Sequence, residues 1–212
     1  YILTSSIEKI LSNKLCSLRP EETKLTFSAV FELDREAKVV SQWFGKTIIY
    51  SDKRFAYEDA QAIIEEKVKD DHFGDVILTM DKYAKVLRKK RMSTGALEIE
   101  SQEVRFKLDE QSNPLGIVLK VSKDANKLIE EFMLIANKKV AELFSEIKKQ
   151  KYIYRVHELP DNEKLKSLKH IVKSFGYTLD LTSSKGISKS LNQLLNNVRG
   201  KEEQNLIESL AL

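Results

Sequence analysis

The chain has 212 residues, of which 42% are hydrophobic and 32% are charged, and its formal net charge is +4. A chain of this size and composition can bury an ordinary hydrophobic core, and no apolar run approaches the roughly 20 residues of a membrane span. Nothing at Tyr1 resembles a signal peptide, so we expect a folded cytoplasmic protein.

The first part of the chain predicts a short helix followed by a β-hairpin. Apolar residues at helical spacing indicate an amphipathic helix over residues 7–15, with Cys16 as a small buried thiol in an apolar setting. Alternation of apolar and polar residues predicts a strand over 25–33 with one buried face. Residues 39–50 are rich in β-branched and aromatic side chains, which favours an antiparallel return with a bulge at Gly45.

The middle of the chain predicts helices around a second hairpin. Apolar residues recur there at intervals of three and four, and Asp75 fits the N-cap of one helix. The last helix of this region is the longest element, so we expect it to be the central support of the fold. In chain order the predicted elements are a helix over 57–68, a helix over 75–91, strands over 103–108 and 115–121, and a helix over 124–149.

The C-terminal part is predicted to be helical after a short strand over 153–156. Pro160 is expected at the first position of a helix that Gly176 ends, and two more helices are predicted over 187–198 and 202–212. The predicted fold class is therefore α+β, with antiparallel β-hairpins packed against helices, a long central helix and a helical C-terminal part.

Positive charge is concentrated in two groups, from Lys82 to Arg91 and from Lys138 to Lys173. Either group could follow a phosphate backbone, which is how proteins bind nucleic acids without reading their sequence. Acidic residues are interleaved with the second group, and that pattern equally fits a solvated helix face.

No self-sufficient catalytic constellation is recognisable in the sequence. His72, His157 and His170 lack the spacing to cysteine or aspartate that a zinc site requires. A magnesium centre needs carboxylates that converge on one point, whereas the acidic pairs here are adjacent in sequence and are expected to point in different directions on a helix. These pairs are Glu65–Glu66, Asp70–Asp71, Glu130–Glu131 and Glu202–Glu203.

Three segments of the chain carry motifs that recur together in one enzyme family. Residues 11–20 read LSNKLCSLRP, similar to a family segment L-S-N-x-L-C-S-L-x-P. Residues 47–57 resemble a segment in which a strand leads into an R-L-T-Y turn, and residues 124–137 resemble the helix D-A-x-x-L-I-E-E-F-M-L-L-A-N. Similar short motifs fall at residues 95–97 and 155–157. Together the segments resemble the RNB catalytic domain of ribonuclease II and ribonuclease R exoribonucleases.

The resemblance implies processive, magnesium-dependent 3′ to 5′ hydrolysis of single-stranded RNA, which releases nucleoside monophosphates from a chain threaded into a deep channel. It implies that residues 1–212 are part of one RNB-type domain. The family's aspartate cluster lies upstream of the segment that matches residues 11–20, and its arginine motif lies downstream of Leu212. We therefore expect the Mg²⁺ ligands and the catalytic residues to lie outside this chain, and the chain alone to be inactive.

The same resemblance makes five residues candidates for RNA contacts. Tyr57 matches a family tyrosine near the RNA end of the channel, where a phenol can stack on or hydrogen-bond a nucleotide. Glu130 matches an acid near the terminal nucleotides, where a carboxylate can accept a hydrogen bond from a ribose 2′-hydroxyl. Asn137, Arg155 and His157 are further candidates, and each fits a buried hydrogen-bonding role equally.

The chain departs from the family pattern in two places. Ser5-Ser6-Ile7 stands where the family has M-L-P, and Glu98-Ile99 stands where the family often has aspartate and phenylalanine, so stacking from that loop is not expected. An alternative function, which rests on the two basic groups and on the absent carboxylate cluster, is a non-catalytic RNA-binding or protein-interaction module on the same scaffold. A partial domain exposes apolar surface, which predicts self-association.

Overall fold

A computed structural model describes residues 11–70, 72–97, 103–109, 111, 113–147, 151–156 and 160–211. The chain forms two compact units, one of Tyr1–Tyr83 with Asp124–Ile129 and one of Ala84–Lys123 with Glu130–Leu212. The described residues form antiparallel hairpins and helices, so the predicted α+β class is confirmed. No helix in these ranges is long and apolar enough to cross a membrane.

Hairpins and helices follow one another along the chain close to the positions that periodicity predicts. β1 pairs with β2 and β3 pairs with β4, and both pairs are antiparallel. The elements are β1 (Thr23–Leu33), β2 (Val39–Tyr50), α1 (Tyr57–Ile64), α2 (Gly74–Ser93), β3 (Glu103–Leu108), β4 (Pro114–Lys120), α3 (Asp124–Glu146), α4 (Asn162–Ser174), α5 (Ser184–Val198) and α6 (Gln204–Ala211).

Four local predictions are wrong. Leu11–Leu15 form a single π-helical turn with no buried side chain in place of the predicted amphipathic helix, whose residues 7–10 lie outside the described residues. Cys16 is exposed and not buried. Residues 151–156 form no strand. Pro160 precedes α4 instead of opening it, because the carboxylate of Asp161 caps that helix and accepts a hydrogen bond from the backbone N–H of Glu163 at 2.7 Å.

The β1–β2 hairpin has an apolar face that remains exposed. Leu25 lies directly opposite Ile48, and these side chains are 85% and 71% exposed, while the neighbouring Phe27 is 72% exposed. The expectation that this face is buried is therefore wrong for the described chain. The alternation itself is confirmed, because polar side chains share the other face, where the hydroxyls of Thr26 and Thr47 lie 2.6 Å apart.

Gly45 is needed for close packing within the hairpin and not for a bulge. It stays in register opposite Ser28, and the irregular step lies between Glu32 and Leu33. A Cβ at Gly45 would lie 2.4 Å from Cζ2 of Trp43, closer than real Cβ atoms approach other atoms. The glycine thus makes room for the indole that lies across it.

The first turn of α2 is anchored by a carboxylate outside the helix. Asp70 accepts hydrogen bonds from Lys53 Nζ at 2.5 Å and from the backbone N–H of Phe73 at 2.8 Å. These bonds favour the ionised form and lower the pKa of Asp70 from 3.8 to about 2. Asp75, predicted as the N-cap, lies inside the first turn because the helix begins at Gly74.

A buried hydrogen bond joins α1 to the start of α3 within the first unit. Gln61, which is 7% exposed, accepts a hydrogen bond from the backbone N–H of Ala125 at 2.9 Å. That N–H belongs to the first turn of α3, where no intrahelical acceptor exists. Ile63, Ile77 and Leu128 are buried in the same unit.

The second unit has a core formed by its three C-terminal helices and the segments between them. Ser183 caps α5 by accepting a hydrogen bond from the backbone N–H of Gly186 at 3.0 Å. Tyr177 donates a hydrogen bond to Glu203 at 2.6 Å. The buried cluster consists of Leu168, Val172, Leu179, Leu191, Leu194, Val198 and Ile207.

Candidate functional site

An apolar cavity of about 400 Å³ opens beside Tyr57 in the first unit. Tyr57 is the first residue of α1 and is 48% exposed, and in the described part of the chain its hydroxyl makes no hydrogen bond. The ring can therefore stack on a planar group while the hydroxyl, which lies in the ring plane, donates to a neighbouring acceptor. The cavity is lined by Phe55, Ala56, Tyr57, Ala60, Ile77, Met80, Ala125, Leu128 and Ile129.

Glu130 lies in a cluster of charged side chains in the second unit. Arg91 on α2 reaches both acids of the adjacent pair on α3, with Nη2 at 2.8 Å from Glu130 Oε1 and 2.5 Å from Glu131 Oε1. Arg91 Nε lies 3.1 Å from Glu131 Oε1 and 3.2 Å from Oε2. The expectation that adjacent acids point apart is therefore wrong here, because both carboxylates contact one guanidinium.

The two acids differ in burial. The side chain of Glu131 is 3% exposed, whereas that of Glu130 is 47% exposed. The hydrogen bond from Arg91 to Glu131 is the main cause of the raised pKa of Arg91, and burial opposes it. Glu131 therefore anchors the cluster, and Glu130 presents its carboxylate to solvent.

The contacts of the cluster also change the interpretation of the first basic group. Arg88 Nη1 lies 3.8 Å from Glu131 Oε1 and 4.0 Å from Glu130 Oε2. The guanidiniums of Arg88 and Arg91 are thus paired with carboxylates, although both belong to the group from Lys82 to Arg91. An uninterrupted phosphate-binding face along α2 is not supported.

The structure describes two of the three remaining predicted contacts. Asn137 is exposed and lies two turns after Glu130 on α3, so the two residues share a face of that helix. Arg155 is exposed in the segment 151–156. His157 lies outside the described residues. Tyr57 belongs to the other unit.

Acidic residues do not converge into a metal centre in the described ranges. No group of three or more His, Cys, Asp or Glu side chains there is placed to bind a metal ion. Mg²⁺ requires near-octahedral oxygen ligands, of which carboxylates are the usual protein component. The described residues therefore do not fit this ion.

The family profile described as RNB domain matches residues 7–212. The chain belongs to the RNB domain family. DIS3-like exonuclease 2 of Schizosaccharomyces pombe is 37% identical over 96% of this chain and 23% of its own length. The inactive exonuclease DIS3L2 of Arabidopsis thaliana is 32% identical over 92% of this chain and 20% of its own length. The chain thus spans about a quarter of the length of the curated relatives it matches, or less.

A solved structure supports the RNB fold independently. Mycoplasma genitalium RNase R, in complex with ribose methylated single-stranded RNA, superimposes with a TM-score of 0.83 at 24% sequence identity. The match covers 96% of this chain and 32% of the RNase R chain. The described hairpins and helices therefore have the arrangement of an RNase R-like RNB fold.

Sequence reasoning missed the partners of Glu130. Arg91 and Glu131 appear in the sequence only as members of a basic run and an acidic pair, 40 positions apart. Their spacing carries no signal that α2 and α3 lie together. One pattern could have indicated the contact. Two acids are adjacent on one predicted helix, and Arg88 and Arg91 lie at i and i+3 on one face of another.

Proposed function

We propose that this chain is part of the catalytic domain of an RNB exoribonuclease that acts in the cytoplasm. The whole enzyme would hydrolyse single-stranded RNA processively from the 3′ end and release nucleoside monophosphates, with Mg²⁺ as its ion. The observation that carries the proposal is the RNB match over residues 7–212. The RNA bound to the similar RNase R is consistent with the substrate class.

We propose in addition that residues 1–212 do not contain the Mg²⁺ ligands or the phosphate-binding arginine of the domain. The order of the family motifs supports this division, because the aspartate cluster lies upstream of the segment that matches residues 11–20 and the arginine motif lies downstream of Leu212. The chain contributes substrate positioning, and the reaction requires residues beyond it.

Tyr57 is proposed to contact a nucleotide. A base is planar and apolar on its faces, so it can lie against the ring and the neighbouring apolar cavity without any reading of sequence. The hydroxyl is available for a hydrogen bond to the sugar or phosphate. Tyr57→Phe separates these roles, because it keeps the ring and removes the hydroxyl.

Glu130 is proposed to accept a hydrogen bond from a ribose 2′-hydroxyl. Its Oε1 accepts a hydrogen bond from Arg91 at 2.8 Å, whereas Oε2 lies 4.0 Å from Arg88 Nη1, an ion pair beyond hydrogen-bond distance. One oxygen is thus oriented by a hydrogen bond, and the other can still accept one from a ribose. Because DNA lacks the 2′-hydroxyl, such a contact favours RNA.

Fluorescence anisotropy with labelled oligouridylate and oligodeoxyuridylate tests both contacts in this chain. Glu130→Gln is expected to reduce the preference for the ribose form, and Glu142→Gln, which alters an exposed, lysine-paired acid on the same helix, is the control. Tyr57→Ala is expected to weaken binding of both oligonucleotides by roughly tenfold, since stacking on one base is worth about 1–3 kcal/mol. Unchanged affinities in both variants would refute the assigned contacts.

Activity is tested with the 212-residue chain, Mg²⁺ and 5′-labelled single-stranded RNA on a denaturing gel. We expect no shortening of the RNA. Robust release of mononucleotides would overturn the proposed division of the catalytic centre. The coding sequence on either side decides the parent activity, because an open frame with the aspartate cluster and the arginine motif supports the exoribonuclease.

A non-catalytic RNA-binding or protein-interaction module is the second candidate function. The relative from Arabidopsis thaliana that is named an inactive exonuclease favours it, since this relative is 32% identical to the chain. A full-length protein that binds oligouridylate but leaves it intact with Mg²⁺ would support this alternative over the first.

A further inference from the structure

We propose that a basic cavity between the C-terminal end of α2 and one face of α5 binds the phosphate backbone of single-stranded RNA, with Lys185 and Lys189 each neutralising one phosphate. The inference rests on the proposed RNA-related function and adds a site to it that is separate from the residues assigned above. All of its residues belong to the second unit.

The cavity has a volume of about 360 Å³. Four of its lining residues lie on α5 at positions i, i+4, i+7 and i+11, which places them on one face of the helix. The opposite wall is the last turn of α2. The lining consists of Met92, Ser93, Lys185, Lys189, Asn192 and Asn196.

The charges around the cavity favour an anion. Its lining contains two lysines and no acidic residue. Both lysines are exposed, and within the described ranges neither of them forms an ion pair. Asp180, an acid close to the start of α5, is engaged by Thr182, whose backbone N–H and hydroxyl donate to it at 2.9 and 2.6 Å. The two ammonium groups therefore remain available to an external phosphate.

The walls of the cavity are held at a fixed spacing. Asn192 Nδ2 donates a hydrogen bond to the backbone carbonyl of Ala96 at 2.8 Å, which fastens α5 to the loop after α2. In the same loop a Cβ on Gly95 would lie 3.2 Å from Ser188 Oγ, so the loop and the helix approach closely. Leu97 packs against the buried cluster of the C-terminal helices. The lysines thus project from a supported surface and not from a loose segment.

The remaining polar groups suit a nucleotide backbone better than a single small anion. The amide of Asn196 is exposed at the cavity and can donate a hydrogen bond to phosphate or ribose oxygens. The hydroxyl of Ser93 donates to the backbone carbonyl of Lys90 at 2.7 Å, so it can only accept a hydrogen bond, for example from a ribose hydroxyl. Lysine acts on phosphate as a point charge and imposes no base preference. We therefore expect binding that depends on salt and not on sequence.

The experiment is an anisotropy titration of the 212-residue chain with labelled oligouridylate at several salt concentrations. The test variant is K185Q/K189Q. The matched control is K169Q/K173Q on α4, which removes two exposed lysines at the same i, i+4 spacing that do not line the cavity. Thermal unfolding of all three proteins checks that the substitutions leave the fold intact.

Each phosphate contact contributes about 0.7 to the slope of log K against log salt for a single strand, so the loss of two contacts is expected to reduce the slope by about 1.4. At 0.1 M salt the same two contacts correspond to a loss of affinity of up to roughly 25-fold. The control pair is expected to change the slope by much less than the cavity pair.

Equal slopes for K185Q/K189Q and the control would overturn the proposal. The proposal would also be overturned if inorganic phosphate displaced the oligonucleotide when added at the same concentration as the oligonucleotide's phosphate groups. The site would then be specific for free phosphate. Binding that is lost in K185Q/K189Q while a full-length protein fails to degrade RNA would support the cavity and contradict the exoribonuclease. If the full-length protein degrades RNA while K185Q/K189Q leaves the salt slope unchanged, the exoribonuclease is supported and the cavity is contradicted.

Discussion

The Arg91–Glu131 pair gives a quantitative test of how α2 and α3 are held together. Arg91→Ala leaves the carboxylate of Glu131, which is 3% exposed, without its hydrogen-bonded partner. Removal of one member of a buried pair costs about 3–5 kcal/mol. We expect a loss in the free energy of unfolding near the lower end, about 3 kcal/mol, because Arg88 Nη1 remains 3.8 Å from Glu131.

The assay is urea denaturation followed by circular dichroism at 222 nm, which reports the helices. A loss of about 3 kcal/mol corresponds to a fall in Tm of roughly 6–12 °C for a chain of this size. Lys166→Ala is the control, since it breaks a pair in which both side chains are more than half exposed and is expected to cost less than about 1 kcal/mol.

The double variant R91M/E131M separates the pair from the packing around it. Replacement of both charges by apolar side chains of similar length is expected to restore most of the stability lost in Arg91→Ala, because no buried charge remains unpaired. If Arg91→Ala is no more costly than Lys166→Ala, or if the double variant is the least stable of the set, the buried carboxylate does not have the role assigned to it.

Three further predictions concern other parts of the chain. The Asp70 carboxyl should titrate at about pH 2 when followed by NMR. Its contribution to the free energy of unfolding is therefore complete above pH 3.8, the pKa of the free side chain, and is lost as the pH falls through about 2. Lys53→Gln should raise the titration midpoint of Asp70. Ser183→Ala should cost about 1 kcal/mol in urea denaturation through loss of the α5 cap, whereas Ser183→Gly should cost only a few tenths. The 212-residue chain should self-associate through its exposed hairpin face, and L25K/F27K should shift the light-scattering mass toward the monomer. A monomeric mass before substitution would contradict this expectation.

The elements were predictable where local pattern decides them. Alternation placed β1, and spacing at three and four placed α3, because these periods follow from backbone geometry alone. The first residues of helices were less predictable. Pro160 suits the first position of α4, but the helix begins later because the side chain of Asp161 reaches its free backbone N–H groups.

The candidate site was predictable only through family motifs. Tyr57 and Glu130 came from matched segments, whereas Arg91 became visible only when α2 and α3 were seen together. The burial of the apolar face of β1 was predicted wrongly for a related reason. The apolar face at Leu25 has the pattern of a core strand, but a sequence pattern does not say which residues cover it.

The hydrogen bond between Gln61 and Ala125 limits how early the first unit can fold during synthesis. The partners are 64 positions apart, so a ribosome that adds 5–20 residues each second needs roughly 3 to 13 s to pass from one to the other. The hairpin and α1 therefore leave the ribosome several seconds before Ala125, Leu128 and Ile129, which line the cavity beside Tyr57. The first unit cannot finish folding as it emerges, and its apolar surface is open to a chaperone until the start of α3 arrives.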